Sequence, residues 1–302
     1  MNKREFVKTL LAASALSAAP KLYANNQTKI HRKKILSSGQ FIPVIGMGSF
    51  VTFNFPSDFV IIRQRSSLID QFFSMGGELI DSSPMYGASE KNLGLCINSS
   101  AKDKLFSATK VWTSSVGDGV SEIEASRKLW KVDQFNLLQV HNLVSWEGHL
   151  KTLFDMKDQG KLNYVGVTTS HGRRHKELEK IMMTQPIDFV QATYNVVDRE
   201  VEQRILPIAK ERGIAFIANR PFQRGNIINQ VNQHPLPGFA KELNCDNWAS
   251  LLLKYIVSHP AVTCTIPATS KHEHLLENMS ALIGEVPDAE YRIRIEEYVS
   301  KL

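Results

Sequence analysis

Four side chains of complementary chemistry follow closely on short apolar runs. Asp81 closes the run Glu-Leu-Ile, and Tyr86 comes five residues later. Lys110 follows Phe-Ser-Ala-Thr, and His141 follows Leu-Leu-Gln-Val. Taken singly, each has an ordinary structural use: a helix cap, a packed ring, a rim charge, a core imidazole. Brought together they form an acid-base set. A lysine ammonium lowers the proton affinity of a nearby phenol from its usual pKa of about 10, and a carboxylate keeps that lysine charged. The phenol then donates its proton to a carbonyl oxygen near neutral pH.

Such a set needs elements that converge on one place. From about residue 34 onward, apolar runs rich in Val, Ile and Phe alternate with longer stretches of helical period. This is the pattern of βα units around a parallel sheet. Eight strands are expected, at residues 44–47, 78–80, 105–108, 137–140, 164–167, 189–191, 215–218 and 263–266. Between them, apolar residues recur at helical spacing, as in Leu68, Phe72 and Met75 or Val201, Ile205 and Ile208. Gly77, Gly160 and Gly213 stand where left-handed helix caps belong. Eight units in this length match an α/β chain folded as a (β/α)₈ TIM barrel, which usually takes about 250 residues. A doubly wound sheet is the alternative, but no Gly-x-Gly-x-x-Gly follows the first strand. Residues 34–42 are expected to form a hairpin ahead of the barrel. In a barrel the active site lies at the C-terminal strand ends, where Asp81, Lys110 and His141 fall on three consecutive strands.

Three segments carry a more specific signature: Gly76-Gly-Glu-Leu-Ile-Asp-Ser-Ser-Pro-Met-Tyr-Gly-Ala-Ser-Glu90, Ala108-Thr-Lys-Val-Trp112 and Leu138-Gln-Val-His141. Together with Pro43-Val-Ile-Gly-Met-Gly-Ser-Phe50, Gly160 to Thr168, Phe189-Val-Gln191 and Ile266 to Asn278, they resemble the aldo-keto reductases from about residue 34 to the end. The resemblance implies that Tyr86 is the proton donor, Lys110 its partner, Asp81 the counterion of Lys110, and His141 the group that orients a substrate carbonyl. It implies hydride transfer from NAD(P)H, with NADP(H) preferred over NAD(H). Gly48 and Ser49 would lie beside the nicotinamide, and Gln191 would bond its carboxamide. Thr168 and Thr169 stand where many members carry Ser-Asn. After the seventh strand, Asn219 replaces the aromatic residue that often stacks on the nicotinamide, and Arg220 is expected to cover the ring or bind pyrophosphate. At the last helix, Thr269, Ser270 and Lys271 would meet a 2′-phosphate. His274 stands where an arginine often pairs with it, and Glu277 and Asn278 match the adenine-contacting pair.

The remaining composition narrows the function. The chain has 302 residues, 43% of them hydrophobic and 22% charged, enough apolar mass for a packed core. Cys96, Cys245 and Cys264 are too widely spaced for a disulfide framework or a zinc site, and are expected to be buried. Neither His272 with His274 nor His171 with His175 has converging partners of metal-site spacing, so no metal is expected. The formal charge is +6, half of it in the first 24 residues, where Lys3, Arg4, Lys8 and Lys21 face only Glu5. The rest shows no basic run of the kind that binds nucleic acid.

Residues 1–24 have the layout of an export signal, a basic start before an apolar segment shorter than the about 20 residues a membrane span needs. Lys3-Arg4 resembles a twin-arginine signal with its first arginine replaced. The expected organisation is therefore a signal at 1–24, a linker at 25–33 and a barrel at 34–302. The mature chain would be periplasmic, without a stable membrane span, or cytoplasmic where the signal is unused. Its partner would be a small carbonyl compound; the oligomeric state is not legible. Phe53, Phe55, Trp112, Trp146 and Phe222 are expected to wall the pocket and favour apolar or mixed carbonyls. Two other functions share the same residues: a nicotinamide-binding sensor or scaffold with little turnover, and a Schiff-base lyase acting through Lys110.

Overall fold

The computed structural model describes residues 29–302; the expected signal at 1–24 lies outside them. The first element is a hairpin, β1 (Arg32–Lys34) paired antiparallel with β2 (Phe41–Pro43). It is the expected hairpin, begun two residues earlier, within the stretch read as linker.

Eight parallel strands follow: β3 (Met47–Gly48), β4 (Leu79–Asp81), β5 (Phe106–Val111), β6 (Phe135–Val140), β7 (Leu162–Thr168), β8 (Phe189–Thr193), β9 (Ala215–Asn219) and β10 (Val262–Thr265). Each pairs with its neighbours in chain order. The ring closes between Ile45 and Thr265, supported by Gly46 N–H on Thr265 O at 2.8 Å and Thr265 N–H on Val44 O at 2.9 Å. Closure makes this a (β/α)₈ barrel and excludes the open doubly wound sheet. The first strand is displaced from its expected place: Val44 and Ile45 seal the ring, and only Met47 and Gly48 pair with β4.

Helices α1 (Phe59–Ser74), α2 (Ser89–Cys96), α3 (Val116–Trp130), α4 (Trp146–Asp158), α5 (His175–Thr184), α6 (Ile205–Arg212), α7 (Asn226–Val231), α8 (Trp248–Ser258) and α9 (His272–Ser280) lie between and after the strands, and α10 (Ala289–Val299) ends the fold. Their starts follow local chemistry. Asp58 accepts from the amides of Val60 and Ile61, and Asn247 from that of Ser250, so orphan helix donors find side-chain acceptors. Gly160 and Gly213 adopt the expected left-handed conformation, but before β4 it is Gly76 that does so. Gly77 is needed for another reason: a side chain there would collide with the Phe72 ring.

Side chains on a strand alternate between faces, and this alternation sets the polarity of the barrel interior. Reading up the inward faces gives Phe106, Ala108, Lys110 on β5; Leu137, Gln139 on β6; Phe189, Gln191, Thr193 on β8; and Ala215, Ile217, Asn219 on β9. The N-terminal end is apolar and the C-terminal end polar. Ile35 and Ile42 of the hairpin join Leu79, Phe106, Leu137, Tyr164 and Phe189 in one buried cluster. Tyr164 donates to Ser38 or Gln40 of the hairpin loop, so its hydroxyl is satisfied beneath the barrel. The chain thus closes the barrel base and leaves its polar end open. All three cysteines are free and buried.

Candidate active site

Asp81 ends β4 and lies almost fully buried. Its Oδ2 accepts from Lys110 Nζ at 2.6 Å, and its Oδ1 from Gln191 Nε2 at 3.0 Å and Gln139 Nε2 at 3.2 Å. Lys110 is completely buried and also donates to Ser82 O at 2.6 Å. It lies within β5, directly opposite Gln139 of β6, because the strand runs three residues past the expected end at Ala108. Burial works against the Lys110 charge, but Asp81 and Tyr86 outweigh it and hold the ammonium above the ordinary lysine range. An amine held this firmly charged is no nucleophile, which argues against Schiff-base chemistry.

Tyr86 closes a 3₁₀ turn, Pro84–Tyr86, that Ser83 caps through Met85 N–H. Gly87 follows with φ +61, where a side chain would strike Asn54. This tight turn brings the phenol back over the barrel mouth. Lys110 Nζ lies 5.2 Å from the centre of the Tyr86 ring. Lys110 pulls the phenol's proton affinity down, as expected from the sequence, yet the net shift is upward. Burial dominates and raises it, while Lys110, and more weakly Arg224, oppose the rise. The phenol is therefore protonated at neutral pH, with a cation placed to stabilise the oxygen once its proton has left.

His141 follows β6 and meets the Tyr86 ring edge-on at 5.8 Å. Its Nδ1 is 2.8 Å from Ser83 Oγ. That hydroxyl accepts from Met85 N–H and keeps a hydrogen that it can donate to Nδ1; in that tautomer the imidazole hydrogen sits on Nε2. Burial, helped by Lys110, lowers the His141 pKa to about 3, so the ring is neutral. Ser83 and Gln139 were not singled out from the sequence. The lone glutamine in Leu-Leu-Gln-Val, two residues before His141 on the inward face, was the available signal.

A cavity of about 720 Å³ opens over these groups. Gly48, Ser49, Asp81, Tyr86, His141, Thr168, Thr169, Gln191, Asn219 and Arg220 line one part, and Thr269, His274, Glu277 and Asn278 another. Ser49 turns its hydroxyl inward to Ser82 Oγ, 2.7 Å away. Gln191 directs its amide to Asp81, and its oxygen accepts from Asn219. Thr168 accepts from Asn142 N–H, whereas the buried hydroxyl of Thr169 has no partner among the described residues. An unspent hydroxyl beside amide groups fits a carboxamide. Thr269 accepts from Lys271 N–H at the start of α9.

At the rim Thr269 lines the cavity while Ser270 and Lys271 do not; the Lys271 ammonium is 3.7 Å from Glu273, which also lies 3.9 Å from His274. The aromatic wall is different from the expected one. Phe53 is fully buried, Trp146 is buried with its indole N–H on Glu177, and Phe55 and Trp112 do not line the cavity. Phe50, Phe222 and Trp248 do, interleaved with Asn142, His171, Arg224, Asn229, Asn232 and Asn247.

Residues 45–297 match the aldo/keto reductase family. The chain is 23% identical, over 88% of each sequence, to probable aldo-keto reductase 1 of Glycine max. Among solved structures it is similar to an aldo-keto reductase from Klebsiella pneumoniae in complex with NADPH (TM-score 0.74, 19% identity, 90% of this chain and 95% of that one). It is also similar to the holo form of aldo-keto reductase AKR11C1 from Bacillus halodurans (TM-score 0.73, 18% identity, 89% and 96%).

Proposed function

The chain belongs to the aldo/keto reductase family, and from that premise we propose that it reduces aldehydes or ketones with NADPH, Tyr86 giving the proton to the carbonyl oxygen. The observation that carries this reading is the buried Asp81–Lys110 pair beneath a protonated phenol, with a neutral imidazole beside it. The Klebsiella neighbour bound to NADPH supports the choice of cofactor. When bound, the cofactor supplies hydride to the carbonyl carbon. Gly48, Thr169, Gln191 and Asn219 would hold its nicotinamide end, and Thr269, His274, Glu277 and Asn278 its adenosine end.

The protein's own part is positioning and proton transfer. His141 offers Nε2–H to the carbonyl oxygen as a hydrogen bond and, being neutral, is too weak an acid to compete with the phenol as proton donor. As negative charge grows on that oxygen, Tyr86 releases its proton to it, and the Lys110 ammonium neutralises the phenolate left behind. Asp81 keeps that ammonium charged throughout. Replacing Tyr86 with Phe should lower turnover of a simple aldehyde by about a hundredfold or more. NADPH affinity, read by fluorescence titration, should stay within about twofold of wild type, because the ring and its packing remain. Wild-type turnover in Tyr86→Phe would refute the proton-donor role.

A further inference from the structure

The charged groups of the cavity wall are unbalanced. Its carboxylates are Asp81, committed to Lys110, and Glu277 on α9; against them stand the guanidiniums of Arg220 and Arg224. Neither Arg220 nor Arg224 makes an ion pair among the described residues. The neighbouring carboxylate, Asp198, is already occupied, accepting from Asn195 Nδ2 and Gln223 Nε2 at 2.8 Å each. Burial and the charge of Arg224 both lower the proton affinity of Arg220, and Arg173 adds to the same positive field at His171. Asp198 still acts on Arg220 through space, but two guanidiniums that repel one another on a cavity wall, neither of them in an ion pair among the described residues, form a site for anionic oxygens.

Its position relative to the chemistry is fixed by Phe50. Arg224 Cζ lies 4.8 Å from the Phe50 ring centre, and that ring meets Tyr86 edge-on at 5.0 Å. Those separations hold the guanidinium within about 10 Å of the Tyr86 ring. The loop is set for this placement: Arg220 and Arg224 both have left-handed backbones, at φ 53 and φ 60, and Asn195 Nδ2 holds Arg220 O at 3.0 Å.

We propose that Arg224 and Arg220 bind the anionic end of the carbonyl substrate, a carboxylate or phosphate, so that charged oxo compounds are favoured over neutral carbonyls of the same size. The carbonyl half rests on the reductase reading; the anion site rests on the cavity wall. The test compares three aldehydes: 4-carboxybenzaldehyde, 4-formylphenyl phosphate and the neutral methyl 4-formylbenzoate. Their affinities for wild type and Arg224→Gln are measured by calorimetry with and without saturating NADP⁺, which requires no turnover. At least one anionic aldehyde should bind wild type tenfold or more tightly than the ester with NADP⁺ present. Arg224→Gln should erase most of that preference while its affinity for NADP⁺ holds within twofold. Equal affinity for all three aldehydes would overturn the proposal. So would an anion preference seen only without NADP⁺, joined to a tenfold loss of NADP⁺ affinity in Arg224→Gln, since the arginines would then serve the cofactor's pyrophosphate. If the anion preference holds but added NADPH reduces none of the aldehydes, the reductase reading fails and the anion site stands.

Discussion

Replacing Lys110 with Met tests the buried charge pair by removing one side of it. The ammonium is fully enclosed, and its loss leaves the Asp81 carboxylate with only the neutral donors Gln139 and Gln191. Stranding one member of a buried pair costs about 3–5 kcal/mol, and the two remaining donors place this case near 3 kcal/mol. For a chain of this size that is a fall of about 5 °C in the melting temperature, measurable by circular dichroism at pH 7. Adding Asp81→Asn removes the stranded charge while the amide oxygen still accepts from both glutamines. The double variant should therefore recover at least about 1 kcal/mol relative to Lys110→Met alone. Turnover should not recover with stability, because neither variant has a cation to stabilise the Tyr86 phenolate; a loss of about a hundredfold is expected in both. A Lys110→Met protein as stable as wild type, or a double variant less stable than the single, would refute the charge-pair reasoning. Turnover restored in the double variant would refute the role given to the ammonium.

Two further outcomes are expected. His141 has a folded pKa of about 3 against 6.5 for the free side chain, so the unfolded chain binds more protons between those values and stability falls as pH drops below about 6.5. Between pH 7 and pH 4 this costs the wild type about 3 kcal/mol that His141→Gln does not lose, so parallel denaturation curves across that range would contradict a neutral buried imidazole. We also propose that residues 1–24 direct export. Cells producing the full chain should release a form about 24 residues shorter with the periplasmic fraction, and a full-length chain confined to the cytoplasm would reject this.

The residues of the acid-base set were legible because each is a polar group placed directly after an apolar run, and a closed parallel barrel leaves one place for such groups to meet. Element boundaries were less so. Phe-Ser-Ala-Thr ends no strand in the fold, because the carboxylate beside Lys110 makes a buried ammonium tolerable and lets β5 continue through it. The aromatic wall was misread for a different reason. Period gives the facing of a strand residue, but Phe53 lies in a loop and Trp146 at the first position of α4, and only the tertiary contact decides that they join the core. Arg224 carried no local signal, since its contact with Phe50 joins residues 174 positions apart.

The enclosed thiols decide how this barrel meets an oxidant. Burial raises Cys96 to about 11 and Cys264 to about 12, and lifts Cys245 in the same direction. The nucleophilic thiolate is therefore nearly absent at neutral pH. None of the three is paired with another. The cysteines offer neither a disulfide to reduce nor a reactive thiol to oxidise. Thiol chemistry therefore ties the barrel to neither a reducing nor an oxidising compartment.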